Sequence, residues 1–113
     1  KLNNNHSNNN SNKIDNLIDD SEEIIICYCD NPYIWNYSDF KKWLKNNSPD
    51  GCIITHKGFH PHRLSSTFMA HIKNENDFVL EIKEKEPYSD DFMNEHASTG
   101  TYYFKTWECA KKY

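Results

Sequence analysis

The 113 residues carry 13 Lys and Arg against 17 Asp and Glu, a net charge of −4, which excludes the positive field that a nucleic-acid backbone requires. The longest apolar run, near Ile24, is about six residues, far short of the roughly 20 that cross a bilayer, so no membrane partner is expected. The four cysteines, Cys27, Cys29, Cys52 and Cys109, lack any Cys-x-x-Cys spacing and read as reduced core thiols; with no charged-then-apolar leader, the expected location is cytoplasmic.

Eight of the first sixteen residues are Asn, without apolar periodicity, and such a segment buries too little surface to offset its ordering entropy. Residues 1–20 are therefore expected to be a disordered Asn-rich tail, and residues 21–113 one α/β domain. Ile24 to Cys29 is a continuous β-branched run, which predicts a central parallel strand covered on both faces. From Ser38, a candidate cap, Phe40, Trp43 and Leu44 recur at helical spacing, so a helix is predicted over Asp39–Lys45, broken by the Asn46-Asn47-Ser48-Pro49-Asp50-Gly51 stretch. Cys52 to Thr55 is a second buried strand, and strand, helix, strand in one unit predicts a parallel layer.

Two extended runs follow, Thr67–Ile72 and Phe78–Ile82, separated by polar residues 73–77 and predicted to form a hairpin, which makes the sheet mixed. Phe92 and Met93 suit a short helical turn. Thr101–Phe104 supplies another strand, and Trp107–Tyr113 begins a helix.

Three places carry chemistry. Asp30 follows the first strand, where an open sheet presents ligand-binding groups and a hard carboxylate suits Mg²⁺; an ordinary Asp-Asn-Pro turn is the other reading. Glu84 and Lys85 stand near Pro87 after an apolar strand, offering a carboxylate and an ammonium, or else a solvated edge of alternating charge. Thr99-Gly100 opens the strand that runs on to Phe104; a strand glycine permits close approach of a ligand or marks a bulge.

An apolar strand ending in Asp30, a Glu84-Lys85-Glu86-Pro87 stretch and a Thr99-Gly100-Thr101-Tyr102-Tyr103-Phe104 strand together resemble the sugar-phosphate nucleotidyltransferase family. The resemblance runs over roughly Ile24 to Tyr113. It implies a partial Rossmann-like, nucleotidyltransferase-type mixed sheet with flanking helices. It implies Asp30 as ligand to Mg²⁺, and Lys85 as the catalytic cation that orients the phosphate of a sugar 1-phosphate. Glu84, Lys85, Thr99 and Gly100 would contact that substrate, and a nucleoside triphosphate would be the second substrate. The family's motif is Glu-Lys-Pro, so Glu86 is an addition here. The family also begins with a Gly-rich phosphate-binding loop, and Gly51, Gly58 and Gly100 form none. The expectation is a domain incomplete and inactive alone, completed by a missing segment or another chain. The alternative is a non-catalytic remnant serving as a binding or regulatory module.

His56, His60 and His62 suggest either a zinc site or a polar active-site loop in which Lys57 or Arg63 meets a phosphate; the loop is the favoured reading, because no Cys or carboxylate stands beside the histidines at ligand spacing. Tyr28, Tyr102 and Tyr103 read as core and rim packing.

Overall fold

The computed structural model describes residues 17–30, 33–61 and 69–113; the expected tail lies outside them as far as residue 16, as do Asn31, Pro32 and residues 62–68. One sheet holds five strands: β1 (Ile24–Cys27), β2 (Gly51–His56), β3 (His71–Glu75), β4 (Phe78–Lys83) and β5 (His96–Phe104). Helix α1 (Tyr37–Asn47) joins β1 to β2, a 3-10 turn at Phe92–Asn94 precedes β5, and a short helix α2 (Trp107–Ala110) follows it.

β5 organises the sheet. Residues 101–104 pair with both β1 (Ile24↔Phe104 to Cys27↔Thr101) and β2 (Gly51↔Phe104 to Ile54↔Thr101), so β1 and β2 occupy opposite edges of β5. β2 continues to His56↔Ala97, and β3 takes the other edge at His71↔Ala97 and Ile72↔His96. Thus β1 and β3 share one edge of β5, end to end, and β4 pairs with the outer side of β3.

This corrects the expected parallel layer, for every hydrogen-bonded strand pair is antiparallel. β1 and β2 do run in the same direction, as a strand, helix, strand unit demands, but β5 lies between them and satisfies both antiparallel. Nor is β1 central and doubly covered. Its one strand neighbour among the described residues is β5, and Ile25 and Ile26 keep 39% and 45% of their surface exposed. A short continuous apolar run identifies a strand without identifying what covers it.

α1 begins two residues before the predicted start, and Asn36 rather than Ser38 is its cap. The Asn36 side chain accepts from the Asp39 amide (3.2 Å) and donates to the Asp39 carboxylate (2.7 Å), a reciprocal N-terminal cap. Ser48 ends the helix in the left-handed region (φ 45°), its amide returning to the Leu44 carbonyl, before Pro49 blocks continuation. The buried Leu44, and Phe40 edge-on to Tyr103 (ring centroids 5.7 Å apart), seat α1 on the sheet.

The predicted hairpin is present, with tighter geometry. Lys73, Asn74 and Glu75 belong to β3, and only Asn76 and Asp77 turn, both at positive φ (49° and 67°), as a two-residue hairpin turn of matching twist requires. Residues 67 and 68 of the predicted first arm lie outside the described residues. The buried apolar residues are Leu44, Ile72, Ala97 and Tyr103, with His71, Ser98 and Thr99 buried beside them. Of the four cysteines, Cys27 and Cys29 are exposed and Cys52 and Cys109 half-buried, so the expectation of core thiols fails for the first pair.

Candidate functional site

The shared edge of β5 creates the site. β1 ends at Cys27 opposite Thr101, and the chain continues through Tyr28, whose amide donates to the Gly100 carbonyl (3.2 Å), to Asp30. From the opposite direction β4 ends at Lys83 opposite His71, itself opposite Ala97, and is followed by Glu84 and Lys85. The β1 end therefore lies directly against the Gly100 bulge, where β5 changes partner from β3 to β1, and the β4 end lies one strand further out, across β3.

Ser98, Thr99 and Gly100 form an irregular step. Thr55 pairs with Ser98 and Ile54 with Thr101, so Thr99 and Gly100 are extra on β5, a bulge that bends the strand. Gly100 takes φ 72°, a region open to glycine at little cost, and its amide donates to Ser98 Oγ (3.1 Å). The Thr99 hydroxyl donates to the Ile54 carbonyl (2.9 Å), so this buried side chain faces β2 and fixes the bulge.

Tyr28 covers Gly100. A Cβ at residue 100 would stand 2.2 Å from Cδ2 and 2.6 Å from Cε2 of the Tyr28 ring. The ring hydroxyl meets that of Tyr102, to which Ser98 Oγ donates (3.4 Å). Proximity to Tyr102 pushes the Tyr28 phenol above its usual range, with contributions from burial and the negative charges of Glu84 and Asp30. The two expected carboxylates, 54 positions apart, thus act on one tyrosine hydroxyl.

Glu84 and Lys85 are exposed and lie on a turn beyond β4, with Lys85 at φ 58°. The additional Glu86 pairs back to Lys83 (3.4 Å), and the Lys83 ammonium stands 4.7 Å from the centre of the Tyr88 ring. Beyond Pro87 the chain is tied to Glu95, whose carboxylate accepts from the Tyr88 amide (3.1 Å), the Ser89 amide (2.7 Å) and the Ser89 hydroxyl (2.8 Å). The same carboxylate meets Nδ1 of the buried His71 (2.7 Å). Burial raises the Glu95 carboxyl, but the hydrogen bonds from Tyr88, Ser89 and His71 prevail and hold it below the usual range. Glu95 therefore anchors the turn that presents Glu84 and Lys85.

Among the described residues no group of three or more His, Cys, Asp or Glu could hold a metal ion. Asp30 is exposed and, like Glu84, adds negative charge near the Tyr28 phenol. A carboxylate oxygen is the donor type that Mg²⁺ takes beside phosphate and water. His56 and His60 do come together, rings 5.3 Å apart and both near Tyr33, but His62 and Arg63 lie outside the described residues.

A groove of about 770 Å³ opens elsewhere, lined by α1, β2 and the hairpin tip, including Phe40, Trp43, Ile53, Phe78 and His96. None of the five expected site residues lines it. Burial lowers the His96 pKa, Lys57 adding to that effect and Asp77 opposing it, and Nδ1 stays 2.9 Å from the Thr55 hydroxyl.

No family model matches the chain, and no curated protein or solved structure does. No helix among the described residues is long and apolar enough to cross a membrane. Sequence reasoning missed Tyr28, Tyr102 and Ser98 as site residues. Their signal lies in the register: an aromatic directly follows the residue opposite Thr101 and so faces the strand glycine.

Proposed function

We propose that this chain carries the sugar-phosphate part of a nucleotidyltransferase-like site. The observation supporting this reading is that the β1 end lies against the Gly100 bulge with the β4 end across β3 from it, so that Asp30 and Glu84 both add negative charge near Tyr28. The partial Rossmann-like arrangement belongs to the same proposal; its support is that β1, α1 and β2 run strand, helix, strand with both strands in one direction.

In this reading Lys85 attracts and orients the phosphate of a sugar 1-phosphate, its ammonium acting as a compact point charge. Glu84 accepts a hydrogen bond from a sugar hydroxyl. The bulge at Thr99-Gly100 shapes the wall, with Thr99 acting through the backbone. Mg²⁺ bound at Asp30 would supply neutralisation of phosphate charge. The reaction is attack of the sugar-phosphate oxygen on the α-phosphorus of a nucleoside triphosphate, with the bond to the β-phosphate oxygen breaking and pyrophosphate leaving. A Gly-rich grip on the triphosphate is not found among these residues, so catalysis calls for a further segment or chain.

A second reading, a non-catalytic binding module, is favoured by β4, where Phe78, Leu80 and Ile82 keep 76%, 58% and 50% of their surface exposed on an outer strand. Thermal unfolding separates the two. Glucose 1-phosphate with Mg²⁺ at a hundredfold its dissociation constant adds about 2.7 kcal/mol under the first reading. An unmoved midpoint up to millimolar ligand supports the second.

A further inference from the structure

We propose that the Tyr28 ring is the platform on which a pyranose rests, so that the site takes a cyclic sugar phosphate in preference to an acyclic polyol phosphate. The proposal rests on the sugar-phosphate reading above and adds to it a residue and a selection rule. Tyr28 directly follows the β1 end, at the bulge, with 61% of its surface open to solvent. Its Cδ2–Cε2 side is fixed against Gly100, where no side chain intervenes. Its hydroxyl is held by Tyr102, and Tyr102 by Ser98, which also receives the Gly100 amide. The ring is thus tethered at both ends while most of it faces outward.

Such a surface matches one ligand shape. A pyranose presents C–H groups on a face and hydroxyls around its rim; an aromatic ring accepts the face, and the carboxylates of Glu84 and Asp30 accept the rim. An acyclic polyol has no lasting apolar face, and inorganic phosphate has none at all. A tyrosine serving only to shield the glycine would be replaceable by any side chain of similar bulk.

The test is isothermal titration of the full chain, with Mg²⁺, by glucose 1-phosphate, sorbitol 6-phosphate and inorganic phosphate. It is run on the wild type, Tyr28→Phe and Tyr28→Leu, with circular dichroism to verify folding. The platform predicts that the wild type favours glucose 1-phosphate, that Tyr28→Phe keeps this preference, and that Tyr28→Leu weakens glucose 1-phosphate by about tenfold while leaving inorganic phosphate unchanged. Equal affinity for the cyclic and acyclic ligands, or Tyr28→Leu binding like the wild type, overturns the platform and leaves the sugar-phosphate reading standing. Absence of binding by any of the three to the wild type overturns both. Should the variants unfold, saturation-transfer NMR on the wild type decides. Stronger transfer to the C–H protons of one sugar face supports the platform, and uniform transfer overturns it.

Discussion

The Tyr28 ring occupies the space that a side chain at Gly100 would need, so that a single Cβ there would come within 2.2 Å of the ring. Strand β1, strand β5 and the bulge are locked together by this contact. Gly100→Ala therefore meets two penalties: a left-handed backbone, about 1–2 kcal/mol for a non-glycine residue, and displacement of the ring. Gly58, at φ 88° with nothing within 4 Å of an added Cβ, meets only the first. Urea unfolding should show Gly100→Ala as the more destabilised, and Gly100→Ala added to Tyr28→Ala should cost less than the two changes summed. Strict additivity would remove the contact from the account.

Glu95 holds four donors on one carboxylate, and its replacement loosens the turn carrying Glu84 and Lys85. Glu95→Gln should lower stability at pH 7 by about 2 kcal/mol, the usual scale for hydrogen bonds to a charged group. The pH dependence has a definite sign. The folded pKa lies below the ordinary 4.5, so the contribution is full above that value and is lost as pH falls through the folded pKa. The wild-type minus Glu95→Gln stability difference, followed by denaturant melts from pH 7 to pH 3, should shrink on acidification. A difference that is flat or grows contradicts the role given to the Glu95 carboxylate.

The cysteines offer a map of accessibility. Burial pushes the Cys52 thiol up to about 11, leaving little of it as the reactive thiolate at pH 8, whereas Cys27 and Cys29 are exposed on either side of Tyr28. Iodoacetamide followed by peptide mass spectrometry should modify Cys27 and Cys29 well before Cys52. Glucose 1-phosphate with Mg²⁺ should slow modification of the exposed pair. Labelling of Cys52 at the same rate would contradict the fold around β2.

Local features were legible in the sequence to the extent that they depend on near neighbours. The Phe40, Trp43 and Leu44 spacing located α1, and the polar residues 73–77 located a hairpin. α1 starts earlier than a Ser38 cap predicts because Asn36 and Asp39 cap each other. Strand partners were not legible, since apolar periodicity reports that Ile24–Cys27 is a strand and carries no record of β5, some 75 residues away, as its neighbour. Of the candidate site, Asp30, Glu84, Lys85 and Gly100 stand out in the sequence as residue types. Thr99 turns its hydroxyl to Ile54 because the bulge resets side-chain direction, and Tyr28 matters only once Cys27 is known to face Thr101.

The measurement that bears most directly on the shared site is a ¹H–¹⁵N correlation titration of the whole chain with glucose 1-phosphate and Mg²⁺. The account predicts that amides of residues 28–30, 84–86 and 98–101 shift together along one binding curve, while those of α1 and the hairpin tip stay in place. Shifts confined to one strand end, or centred on the groove between α1 and Phe78, would contradict a common site built by β1, β4 and the bulge of β5.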